Sequence, residues 1–202
     1  MTVELITLIA AGVMWGVMFG LEWGNFWLNM TGAATILAIT GIIVMRSQLQ
    51  RIFRFHAGHV AIGLVSAVVL YVVFWVGDFV SAAIFPFAVD QVGGIYAMKT
   101  QMNPLTIGLL LFFLIGPAEE VFWRGFLQDR FARRWGNRVG WIAAGFVYAI
   151  VHVWSWNFML VMAALICGMF WGWMYLRWKS LWPGIVSHAV WDVLVFLILP
   201  IR

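Results

Sequence analysis

Gly116-Pro117-Ala118-Glu119-Glu120-Val121-Phe122-Trp123-Arg124 follows directly on Leu105-Thr106-Ile107-Gly108-Leu109-Leu110-Leu111-Phe112-Phe113-Leu114-Ile115, a run without a single charge. A run of that kind is apolar enough to enter a bilayer, yet it ends in two adjacent carboxylates and an arginine. Ionisable side chains at membrane depth are costly, and they mark functional sites whose partners come from elsewhere in the chain.

The surrounding sequence has the same character. The 202 residues are 64% hydrophobic and only 10% charged, with a mean hydropathy of +0.97. Ordinary globular domains carry about 25% charged residues. Only helices and closed barrels satisfy their backbone in lipid, and the long continuous apolar runs lack the alternation of barrel strands. The expectation is an all-α, polytopic integral membrane bundle of about seven to eight spans, each needing roughly 20 apolar residues. The spans are placed at Val3–Leu21, Phe26–Met45, His59–Val76, Leu105–Trp123, Val139–Val153, Asn157–Leu176 and Trp182–Leu199. A shorter apolar piece, Phe79–Val89, is interrupted by Pro86. No basic segment precedes the first run, so that run is expected to be a retained span.

Lysines and arginines set the orientation. Arg46, Arg51 and Arg54 follow the second span, Arg124, Arg130, Arg133, Arg134 and Arg138 the fourth, and Arg177 and Lys179 the sixth. With the N-terminus cytoplasmic these all fall on one side, leaving Lys99 and Arg202 with Glu22, Asp78 and Asp90 on the other. Anionic lipid heads account for the arginines, so the partner is the bilayer and not nucleic acid. The single cysteine, Cys167, excludes a disulfide framework and a cysteine metal cluster. Trp23, Trp27, Trp154, Trp156, Trp178 and Trp182 flank spans and are read as interfacial anchors. No repeat is evident, and residues 1–100 form N-terminal transmembrane helices without assignable chemistry, ahead of a catalytic core at 101–202.

Within the spans the remaining ionisable residues are Glu119, Glu120, His152, His188 and Asp192. Tyr148 with His152, His188 with Asp192, and Glu120 with Arg124 all stand four residues apart, which puts each pair on one helix face. Adjacent residues point about 100° apart on a helix. Glu120 is therefore expected to pair with Arg124 while Glu119 faces the other spans. A carboxylate and two histidines at one place suit the activation of water. Depth is demanding: counted from Val139 and from Trp182, His152 lies roughly 20 Å in and His188 about 9 Å. They meet only if the fifth helix starts outside the lipid or tilts, or if a cavity opens toward the cytoplasm.

Glu119-Glu120-Val121-Phe122-Trp123-Arg124, Tyr148-Ala149-Ile150-Val151-His152 and His188-Ala189-Val190-Trp191-Asp192, in that order on successive apolar segments, resemble the motifs of the CPBP family. These are the CAAX prenyl protease and bacteriocin-processing intramembrane proteases, also called Abi proteins. The resemblance covers roughly residues 104–193. It implies an intramembrane endopeptidase in the cell membrane with its site toward the cytoplasm, acting on a membrane peptide or a prenylated protein C-terminus. Carried over, Glu119 and His152 activate the water, and His188 with Asp192 stabilises the oxyanion. Glu120, Arg124 and Tyr148 support them. Tyrosine stands where the family pattern has phenylalanine, and its hydroxyl needs a partner when buried. An ionised Asp192 only accepts hydrogen bonds, so its expected task is to keep His188 charged.

No cofactor is expected on this reading. An alternative makes Glu119, His152 and His188 the ligands of a zinc ion with an open position, although the HExxH spacing is absent. A second alternative is a non-enzymatic bacteriocin-immunity or scaffold protein that uses the cluster for packing.

Overall fold

The computed structural model describes residues 2–201, and every regular element among them is helical. Six helices are long and apolar enough to cross a membrane: α1 (Thr2–Gly20), α2 (Phe26–Val44), α3 (Gly58–Ile84), α5 (Pro104–Trp135), α6 (Asn137–Ser155) and α7 (Phe158–Trp178). A short helix, α4 (Ala88–Ala97), links α3 to α5, and the shorter apolar helix α8 (Trp182–Ile198) completes the bundle. The protein is a multi-pass membrane protein of the expected all-α class. Side chains such as Ile6, Ile9 and Val13 on α1, or Val65, Val68 and Val72 on α3, are exposed and apolar, as a lipid-facing surface requires.

Two boundaries differ from the sequence expectation. His59–Val76 and Phe79–Val89 are not separate pieces: α3 runs unbroken for 27 residues. Asp78 does not end it. The break falls at Phe85, whose φ of −113° and ψ of 114° are extended, as sterics demand of a residue before proline. The fourth span does not stop at Trp123 either. It continues to Trp135, 32 residues in all, or roughly 48 Å at 1.5 Å per residue, well beyond the ~30 Å hydrocarbon core. Arg130, Arg133 and Arg134 thus ride on its last turns instead of forming a loop. The reversal into α6 takes one residue, Gly136, with a φ of +86° that glycine adopts without a Cβ penalty. Arg202 lies outside the described residues.

Inside α5, Pro117 has no N–H to give. The ladder shifts instead, and the Gly116 N–H bonds Leu111 O, five residues back. Wider π-type turns at Leu111–Ile115 and Val121–Gln128 therefore bracket Gly116–Glu120. Such widenings are frequent at functional sites.

α5 is the central helix: α2, α6 and α8 all pack along it, and α8 in turn lies along α3 while α6 lies along α7. The last pair approaches closely, since a Cβ at Gly168 would stand 3.2 Å from Gly145 Cα.

The two ends of the bundle are built differently. At the arginine-rich end, Asp129 is buried and accepts from Arg51 at 2.9 Å and from the Tyr175 hydroxyl at 3.0 Å, with Arg133 at 3.2 Å. The loop after α2 ties to the start of α8 through Leu181 N–H to Ile52 O (2.8 Å) and Trp182 Nε1–H to Phe53 O (2.9 Å). At the opposite end, Asn25, Asn103 and Asn157 cap α2, α5 and α7 by accepting backbone N–H groups. Gln101 and Gln91 bridge the loops there, receiving Phe26 N–H at 2.7 Å and Met159 N–H at 3.0 Å.

Candidate active site

The long α5–α6 hairpin resolves the depth problem. Glu119 stands 17 residues before Gly136 and His152 stands 16 after it, so arms of nearly equal length bring the two to a common level. The hairpin tip extends past the start of α8, and His188 reaches the same level from only six residues into that helix. Glu119, Tyr148, His152, His188 and Asp192 all line one cavity of about 160 Å³.

Glu120 and Arg124 form the expected ion pair, 3.1 Å apart with both side chains almost wholly buried. Arg124 is therefore an interior residue and not one of the loop arginines. Its guanidinium also reaches Cys167 O (3.3 Å) and lies over the rings of Tyr148 and Trp171. A Cβ on Gly184 would sit 2.7 Å from Glu120 Oε2, so glycine there lets α8 come down onto the carboxylate.

His188 is held from three directions. Its Nδ1 donates to Glu120 Oε1 at 3.0 Å. Its ring stacks on Trp171, with centroids 3.6 Å apart, and Trp171 is fixed by donating to Ser187 Oγ at 3.1 Å. That leaves Nε2 facing two carboxylates, Asp192 Oδ2 at 3.5 Å and Glu119 Oε2 at 3.6 Å. Asp192 and Glu119 thus both stand within ion-pairing distance of His188 Nε2.

Among the described residues no hydrogen bond joins Glu119 directly to His152. Tyr148 stands between them. Its hydroxyl donates to Glu119 Oε2 at 2.8 Å, which is the partner that hydroxyl needed, and its carbonyl accepts from His152 Nδ1 at 2.7 Å. With Nδ1 protonated, His152 Nε2 is an acceptor, and Trp15 Nε1–H from α1 fills it at 3.2 Å. Both ring nitrogens of His152 are committed to protein partners.

Two polar atoms on this cavity have no hydrogen-bond partner among the described residues: Glu119 Oε1, an acceptor, and Trp191 Nε1, a donor, both buried. Buried polar groups are nearly always paired, so an unmatched acceptor and an unmatched donor on one cavity wall mark where a polar substrate group and a water fit. Trp191 and Trp15 were invisible in the sequence because tryptophan is abundant there and reads as packing or anchoring. Trp191 is adjacent to the motif residue Asp192, the only signal available. Trp15 carried none, and residues from the first hundred also line the cavity: Phe19, Phe26, Trp27 and Met30. Trp27, read as an interfacial anchor, is instead buried and donates to Met98 O at 3.0 Å.

The donor set does not fit the zinc alternative. Neither His152 nitrogen is free, His188 Nδ1 is spent on Glu120, and no group of three metal-ligating side chains comes together among the described residues.

Residues 100–194 match a family model, the Rce1-like type II CAAX prenyl endopeptidases. The match holds all three motifs and the whole α5–α6 hairpin. Neither the curated proteins nor the solved structures gave a match.

Proposed function

We propose, on the premise that residues 100–194 belong to the Rce1-like type II CAAX prenyl endopeptidases, that this membrane peptidase hydrolyses a peptide bond with water activated at Glu119. The observation that carries the reading is the unpaired Oε1 of Glu119 on the cavity that also holds the unpaired Trp191 N–H. Glu119 Oε2 is already bonded to Tyr148, which fixes the carboxylate and leaves Oε1 to take the water's proton. The hydroxide oxygen attacks the scissile carbonyl carbon, and the carbonyl oxygen becomes an oxyanion. His188 Nε2–H and Trp191 Nε1–H donate to it, in a water-poor setting where such donors are worth most. The proton on Glu119 then passes to the amide nitrogen as the C–N bond breaks.

Glu120 and Asp192 keep His188 a donor, and Arg124 balances the carboxylates. His152 offers a second acceptor to the water once the water replaces the Trp15 N–H on Nε2. Substrates of matching chemistry are a membrane-embedded peptide or a prenylated protein C-terminus. The test is cleavage of a prenylated tetrapeptide-ended substrate and of a membrane-peptide library by wild type and Glu119→Ala. Cleavage by wild type alone is expected, and equal product from both would defeat the assignment.

A further inference from the structure

Beside the site cavity lies a second and larger hollow, of about 270 Å³, walled by α3, α4, α7 and α8. The two adjoin. Ile95, Leu160, Ala163, Trp191, Asp192 and Phe196 stand on the walls of both. Trp191, whose N–H is unpaired, therefore borders the hollow as well as the site.

Several polar groups around the hollow are turned to other tasks. The Tyr96 hydroxyl donates to Val195 O at 2.8 Å and accepts Ile201 N–H at 3.0 Å, while Ser81 donates to Asp78 O at 3.1 Å. Asp192 Oδ2 faces His188. The rest of the wall is apolar and rich in rings. Phe74 meets the Trp191 ring edge to face with centroids 4.7 Å apart, and Tyr96 lies against Phe196 at 5.4 Å. Rings so arranged offer faces and edges to a further aromatic group. An apolar cavity of about 150 Å³ is enough to bind benzene, so this one has room for a larger side chain. Small residues make the space: a Cβ on Gly77 would meet no neighbouring atom within 4 Å, and Ala163 stands at the junction with the site cavity.

We propose that the hollow receives one large apolar side chain of the substrate, of phenylalanine to tryptophan size, from a residue beside the scissile bond. This rests on the peptidase reading and narrows its substrates to peptides with bulk at the cut. Continuity with the site decides for a peptide side chain over the acyl chain of a bilayer lipid. A peptide backbone in the site cavity keeps its polar groups near Glu119, His188 and Asp192 and sends only a ring past Trp191. A lipid tail entering beside Val73 and Ile166, which are 43% and 38% exposed, would bring its apolar end toward the Asp192 carboxylate and offer that buried group no partner. Burying the ring supplies binding energy away from the reacting atoms, which serves to position the scissile carbonyl.

The test starts from a membrane-library peptide that the wild type cleaves, remade with Ala, Leu, Phe or Trp at each residue flanking the cut. At one of these positions kcat/KM is expected to rise at least about 10-fold from Ala to Trp, a discrimination within the reach of an apolar pocket. Gly77→Leu, which fills the hollow, is expected to flatten that series. Equal rates across the series in the wild type, or a series that Gly77→Leu leaves intact, overturns the proposal. A Gly77→Leu effect confined to prenylated over unprenylated substrate also overturns it, and gives the hollow to an alkyl chain. Binding is read without turnover by irradiating the Glu119→Ala protein with the same library carrying a diazirine-bearing phenylalanine. Adducts are expected on Val73, Gly77 or Ile166, which line the hollow and not the site cavity, and are expected to vanish when Gly77→Leu is added. Such adducts with no cleavage by the wild type would sink the peptidase reading while upholding the hollow as an aromatic side-chain site. Cleavage by the wild type with no adducts there would sink the hollow and spare the peptidase reading.

Discussion

Glu119 and Glu120 are adjacent in sequence and equally buried, yet the regions around them have opposite hydrogen-bond balance. On the Glu120 side the groups hold one another, with only Arg124 Nη1 limited to an ion-pair contact and no hydrogen bond: carboxylate to Arg124, Oε1 to His188 Nδ1, His188 onto Trp171, Trp171 to Ser187. On the Glu119 side one carboxylate oxygen and one indole N–H remain unmatched on a shared cavity. A network whose members are tied to one another and set away from the cavity holds geometry. An unsaturated pair costs folding energy, and this chain tolerates that cost where the cavity is.

Removing a member of the Glu120 side should act on stability first. Arg124→Ala leaves Glu120 buried without its arginine, a change worth about 3–5 kcal/mol. A large drop in thermal stability of the detergent-solubilised protein is the expected outcome, and an unchanged melting temperature would mean the pair within α5 does not hold the Glu120 side together. Asp192 sits at the boundary of the two regions. Asp192→Ala should cost about 10²-fold in turnover, on the scale of one lost electrostatic contributor to an oxyanion site. Asp192→Asn should retain most of the activity, because an amide can still face His188 Nε2. Equal loss in both variants would mean that the site needs the negative charge at Asp192 and not merely an acceptor facing His188 Nε2.

Trp191→Phe keeps the ring and deletes the unmatched donor. Turnover is expected to fall by roughly 10-fold, about 1.4 kcal/mol of transition-state stabilisation, with stability unchanged or slightly raised. A stability loss with unaltered turnover would place the indole in the packing alone. The smallest effect is expected of Trp15→Phe, which leaves His152 Nε2 unpaired at a cost of about 1–2 kcal/mol. A lowered melting temperature with activity retained fits a resting-state contact. Complete loss of activity would make Trp15 part of the machinery.

How far these regions could be read in advance follows from what each residue type signals. Long apolar runs gave the helices, because a bilayer imposes a length that hydropathy registers directly. Charge misled at two boundaries. Asp78 looks like the end of a span but lies inside α3, and Arg124 looks like the start of a loop but is buried in the middle of α5. Hydropathy scores a buried ion pair and a solvated arginine alike. Within the site, Glu119, Tyr148, His152, His188 and Asp192 were found from their helical spacing and order, and the structure gathers them on one cavity. The insertion of Tyr148 between Glu119 and His152 depends on side-chain length and on the register of α5 against α6, which spacing within one helix does not carry. Trp15 and Trp191 meet the site through single N–H groups, and nothing in local sequence singles them out among the fourteen tryptophans of the chain.

The unequal roles of the two glutamates are tested most directly by Glu119→Gln and Glu120→Gln measured side by side for peptide cleavage and thermal stability. Glu119→Gln is expected to lose about 10²–10⁴-fold in turnover, the contribution of a positioned general base, while melting like the wild type. Glu120→Gln is expected to lose stability through the uncompensated Arg124. A Glu119→Gln protein that still cleaves at the wild-type rate, or a pair of variants with the same stability and the same residual activity, would contradict the division between a working carboxylate and a holding one.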